Sequence, residues 1–224
     1  AYQSNAAGGN SGADVGSPEA PGPPVATKRL IHEVQGSGAS SPLDGQMVTI
    51  EAVVTGDFQS ADQLNGFFLQ EEDADQDADP LTSEGLFVFA PGGIDVAEGD
   101  LVRVTGVAAE FRAVTQINSV TDLTVLSSGN ALPSAGSIDL PVPTSVNIDD
   151  YFEPLEGMRV QFVDPLYVSE YFQLARYGEV LLTEGGRVSQ FTSTQLPDVA
   201  GYLDYLDNFA RRQIILDDDN NTQN

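Results

Sequence analysis

The stretch richest in groups that could do chemistry is "EEDADQDADP", residues 71–80. Six of its ten side chains are acidic: Glu71, Glu72, Asp73, Asp75, Asp77 and Asp79, with Glu84 shortly after. Alternating aspartates present several carboxylate oxygens from one short loop, and Ca²⁺ takes six to eight oxygen ligands. Asp73, Asp75, Asp77 and Asp79 could supply them, with Glu72 or Glu84 as a bidentate closer. An EF-hand loop, however, needs a glycine at its sharp turn, where this tract has Gln76 and Ala78. Two readings stand: a Ca²⁺ loop, or a solvated acidic connection between two strands. "LDDDNN" (216–221) is a second acidic cluster with the same two readings.

Other chemistries find less to work with. There is no cysteine, which excludes disulfides, thiolate metal sites and cysteine nucleophiles. The single histidine, His32, lies at the start of the patterned region and reads as structural. Gly36-Ser37-Gly38 is not a phosphate loop, because no Lys-Ser/Thr follows it. Binding of single-stranded nucleic acid needs a basic groove with stacking aromatics. Phe87 and Phe89, with Phe67, Phe111 and Tyr171, could stack, and Arg103 and Arg112 are the nearby cations. Against this stands a net charge of −25, from 34 acids and nine bases, which repels phosphate. Such a surface suits an acidic secreted protein or one adapted to salt, where the screening length shrinks to about 3 Å at 1 M.

These groups must be positioned by strands. Hydrophobic residues make up 41% of the 224, enough for a core, and no run is long enough to span a membrane. Residues 1–28 are rich in Gly, Pro and small side chains and read as a flexible arm or linker. From residue 29 the pattern turns to β. "QMVTIEAVVTGDF" (46–58) places Val48, Ile50, Ala52 and Val54 on one face. "GFFLQ" (66–70), "GLFVFA" (85–90), "DLVRVTGVAAEF" (100–111) and "LTVLS" (123–127) follow, separated by Gly, Asp and Pro. A long first strand, two shorter ones and a Gly-Asp turn into a fourth predict an OB-like β-barrel over 29–128.

Residues 129–150 contain Pro133, Pro141 and Pro143 and read as a linker. In the remainder, 151–224, Pro154-Leu155-Glu156-Gly157 echoes Pro42-Leu43-Asp44-Gly45, and a strand pattern follows each. The echo suggests a second, degenerate OB-like β unit. It carries one helix near 198–212, with Val199, Tyr202, Leu203, Leu206 and Phe209 on one face and Asp198 as N-cap. The fold class expected is therefore all-β with one helix.

"IHEVQGSGASSPLDGQMVTIEAVVTGDFQ", "LNGFFLQEEDADQDADPLTSEGLFVF", "LARYGEVLL" and "RQIILDDDNNTQN" together resemble the region preceding the catalytic domain of large secreted bacterial DNA nucleases. In that family an OB-like barrel stands ahead of an endonuclease/exonuclease/phosphatase domain. The resemblance covers about residues 30–224 and implies an extracellular, non-catalytic module that positions the catalytic domain or its DNA. The family's metal-binding carboxylates and catalytic histidines belong to a domain that would begin beyond Asn224, so none carries over. A different class of role is a structural subunit of an extracellular filament, with residues 1–28 adding a strand to a neighbour.

Overall fold

The computed structural model describes residues 26–220. The reading of residues 1–28 as an arm falls mostly on residues 1–25, outside the described residues. The first unit comprises β1 (Thr27–Lys28), α1 (Ile31–Gln35), β2 (Met47–Phe58), β3 (Gly66–Gln70), β4 (Gly85–Phe89), β5 (Leu101–Phe111) and β6 (Val114–Ser127). The five long strands hydrogen-bond in the order β2-β3-β4-β6-β5, and β5 pairs back onto β2. The sheet therefore closes into a ring-like, OB-like arrangement, as the strand pattern led us to expect. All the ring's pairings are antiparallel except β4 with β6, which run parallel.

The closure depends on β2 serving two neighbours. Its first half pairs with β5 from Met47 to Val53, and its second half pairs with β3 from Val53 to Phe58. A register shift between Val54 and Gly56 bends the strand at the handover. Thr27 and Lys28 add a short parallel strand beside Val48 and Thr49 of β2. Lys28 and Arg103 of β5 both hold Glu51 of β2, at 2.5 and 2.6 Å.

Inside the ring lie the residues that the alternation singles out. Val48, Ile50, Ala52 and Val54 are buried against Phe67, Leu69, Leu86, Val88, Val102, Val104 and Ile117. α1 adds Ile31 and Val34 to this core. Of the edges expected from the sequence, β3 agrees residue for residue and β4 and β5 to within one, but β6 begins at Val114 rather than Leu123. β5 and β6 form a hairpin whose two turn residues, Arg112 and Ala113, both have positive φ, 55° and 62°. Such a turn normally advertises itself by Asn-Gly or Asp-Gly. Here neither residue gives that signal.

The second unit comprises β7 (Gly136–Ile138), α2 (Ile148–Phe152), β8 (Val160–Phe162), β9 (Leu166–Glu170), α3 (Leu174–Tyr177), β10 (Val180–Glu184), α4 (Phe191–Thr194), α5 (Val199–Arg211) and β11 (Gln213–Leu216). β9, β10 and β11 form an antiparallel sheet, and β7 pairs in parallel with β8. Only α5 exceeds five residues, and it matches the helix expected near 198–212; Asp198 caps it, its carboxylate accepting from the Gly201 amide at 2.7 Å. Residues 129–150, read as a linker, contribute β7 and the buried Ile138, Leu140 and Val142, which centre the unit's own core. Pro42–Gly45 forms a turn ahead of β2, whereas Pro154 and Leu155 lie in a short 3-10 helix (Glu153–Leu155) and only Glu156 and Gly157 turn ahead of β8; Gly45 and Gly157 have φ 78° and 69°. Among the described residues no helix is long and apolar enough to cross a membrane.

The two units meet along a polar seam. Gly85, at the start of β4, lies against the backbone of Gly157 and Met158. The Ser83 hydroxyl donates to the Glu156 carbonyl at 2.6 Å, and the Thr115 amide donates to the Glu156 carboxylate at 2.8 Å. The Gln70 side chain accepts from the Arg159 amide at 3.0 Å and donates to the Ser134 carbonyl at 2.7 Å. Buried polar groups need such partners, so this reciprocal set ties the units together.

Candidate functional site

The acidic tract connects β3 to β4, and its backbone is held mainly by its own side chains. The Asp77 carboxylate accepts from the Asp79 amide at 2.8 Å and from the Thr82 hydroxyl at 2.9 Å. Asp79 accepts from the Leu81 amide at 3.0 Å. These are turn-forming bonds of the Asx kind. Asp73 instead reaches the second unit, accepting from both the amide and the hydroxyl of Ser134 at 2.7 Å. Those two donors hold its carboxyl below the usual aspartate range.

Of the five acids expected to surround one ion, three are split between two clusters. Asp77 and Glu84 converge with His32, and Asp75 converges with Glu71 and Glu72; Asp73 and Asp79 belong to neither group. In the first cluster His32 lies between two carboxylates, with Nδ1 at 3.1 Å from Glu84 Oε2 and Nε2 at 4.0 Å from Asp77 Oδ2. Glu84 Oε1 accepts from the Asp77 amide at 2.7 Å. Both Glu84 oxygens are thus engaged in fastening α1 and the loop to β4. His32 takes part in this fastening, as its position suggested.

The second cluster contains the most unusual group of the molecule. Glu71 is fully buried at the end of β3. Its Oε1 accepts from the Ile31 amide at 2.7 Å, while Oε2 has no hydrogen-bond partner among the described residues. Burial pushes its carboxyl up to about 8; Glu72, Glu84 and Asp75 push the same way, and the Ile31 amide opposes them. The alternation of aspartates gave no hint of Glu71, which ends an apolar strand. The available signal was a glutamate directly after "GFFLQ".

At the second acidic cluster, Asp217 and Asp218 accept from the amides of Asp219 and Asn220 at 2.8 and 3.0 Å. Asp219 has positive φ, and partial burial with its two acidic neighbours pushes its carboxyl up to about 6. Three of the residues expected to touch nucleic acid make contacts within the ring, and Phe89 is exposed. Arg103 is committed to Glu51. Arg112 sits in the β5–β6 turn, its guanidinium 5.3 Å from the centre of the Phe111 ring. Phe87 packs on Phe68 with ring centres 5.0 Å apart, and Phe89 on the same strand is partly exposed.

A different surface stands out. The apolar face of α5 is exposed: Val199 at 77%, Leu203 at 59%, and Tyr202 and Leu206 beside them. With Phe191 and Phe209 it lines a groove of about 710 Å³. Tyr167 and Val168 of β9 and Ile215 and Leu216 of β11 are exposed as well.

Scanned against protein-family models, the chain matches none, and no curated protein is similar to it in sequence.

Proposed function

We propose that this chain is a non-catalytic, OB-like module of a secreted bacterial nuclease, and that its second unit holds the catalytic domain against the ring. The observation that carries the reading is the uncovered apolar face of α5. An amphipathic helix buries its apolar stripe. This one leaves it open, on a chain whose charge otherwise keeps surfaces apart. A net charge of −25 favours an apolar protein partner over direct contact with DNA phosphate. The seam around Glu156 and Gln70 ties that docking unit to the ring.

The test is a titration of the pure chain with a catalytic domain of this nuclease family, followed by sedimentation velocity. A one-to-one complex is expected. Val199→Asp and Leu203→Asp, at highly exposed positions, should weaken it by about 2 kcal/mol or more each while leaving the fold unchanged. A chain that ignores the catalytic domain and assembles on itself overturns the reading in favour of the filament subunit.

A further inference from the structure

We propose that Glu71, Glu72 and Asp75 form a Ca²⁺ site at the root of the acidic loop, with Glu71 as its buried anchor. One carboxylate oxygen from each of the three lies within 4.8 Å of the others. Ca²⁺ bonds oxygen at about 2.3–2.6 Å, so oxygens on opposite sides of one ion stand about 4.6–5.2 Å apart. The three carboxylates are therefore close enough to converge on a single ion through side-chain movement alone.

An acidic cluster alone is common and means little. The independent observation is the state of Glu71. Its side chain is wholly buried, and among the described residues Oε2 has no hydrogen-bond partner although Oε1 is satisfied by the Ile31 amide. Leaving a buried carboxylate oxygen unpaired is costly, and placing it beside two further acids is more so. A divalent cation held by the Glu71 carboxylate together with Glu72 and Asp75 removes both penalties.

The donor set is all oxygen, which selects a hard cation. Glu72 is half-buried and Asp75 exposed, so the outer side of the site is open to the waters that complete the coordination of Ca²⁺. The loop is already shaped there: the Asp75 amide donates to the Glu72 carbonyl at 2.8 Å, and Gln76 donates to the Glu71 carbonyl at 3.2 Å. His32, Asp77 and Glu84 are not part of the site, because the Glu84 oxygens already accept from the Asp77 amide and face His32.

The experiment is calorimetric titration of CaCl₂ into the full chain after treatment with chelator, repeated on Glu71→Gln, Glu72→Gln, Asp75→Asn and Asp79→Asn. The parent should bind one Ca²⁺ and melt at a higher temperature with it. Each of the first three changes should weaken binding about tenfold or more, and Asp79→Asn should leave it within about twofold. No binding heat at millimolar Ca²⁺ in the parent overturns the proposal. So does binding that survives Asp75→Asn and Glu72→Gln unchanged; these two positions decide the matter should Glu71→Gln fail to fold.

Discussion

Gly85→Ala is expected to lower the melting temperature by about 6–12 °C, a cost of about 3 kcal/mol for a chain of this size. A Cβ at Gly85 would fall onto the carbonyl carbon of Gly157 and the amide nitrogen of Met158, with the Gly157 oxygen 2.6 Å away. All three are backbone atoms, so no rotamer change relieves the overlap. The approach is reciprocal, since a Cβ on Gly157 would meet the Leu86 nitrogen at 2.8 Å. The methyl group must therefore separate the units and open the bonds from Ser83, Thr115 and Gln35 to Glu156. Gly38→Ala, at a position with open space around it, serves as control and should shift stability by no more than about 0.5 kcal/mol. Differential scanning calorimetry reads both. Equal melting temperatures for the two variants would mean that the units do not meet at this seam.

In chelator, the stability of the parent chain should fall as pH rises from about 4.5 to about 8, and Glu71→Gln should remove a large part of that fall. The sign follows from linkage. The carboxyl of Glu71 titrates near 4.5 when the chain is unfolded and is pushed up to about 8 in the fold. Below pH 4.5 both states carry the proton and the group is neutral in its effect. Between the two values the folded state holds the proton that the unfolded state has lost, so each step upward in pH favours unfolding. Above pH 8 the full penalty of a buried carboxylate is present, roughly 2–5 kcal/mol. Glu153, Glu156 and Asp219 are also pushed up by burial and slope the same way, so the difference between parent and variant isolates Glu71. Urea denaturation at several pH values measures it. A parent and variant with parallel pH profiles would show that Glu71 is not buried in the manner described.

The ring was legible because its strands obey an alternation that only the interior can impose. Val48, Ile50, Ala52 and Val54 all point inward, and the Gly and Asp residues between strands mark their ends. The β5–β6 hairpin was not legible ahead of Leu123, because Arg112 and Ala113 take the left-handed conformation without the residues that usually signal it. The polar seam was hidden for another reason. Gln35, Gln70, Ser83 and Glu156 are side chains that normally face water. The burial of Gln35, Gln70 and Ser83 and the half-burial of Glu156 follow from the meeting of two units far apart in sequence, which periodicity does not register. At the candidate site, the acidic tract pointed to the loop that joins β3 to β4. Of the four alternating aspartates Asp77 and Asp79 are turn formers, while Glu71, whose carboxyl burial pushes up to about 8, directly follows the preceding strand. The apolar face of α5 was plain from spacing, but not its exposure, since a helical stripe looks the same whether or not anything covers it.

The claim that the chain holds a catalytic domain and does not itself cut is tested most directly by incubating the pure protein with supercoiled plasmid in Mg²⁺ and in Ca²⁺, alone and with the catalytic domain added. The chain alone should leave the plasmid supercoiled at every metal concentration, and cleavage should appear only with the added domain. Nicking by the chain alone that requires metal, survives repurification and stops with chelator would contradict it.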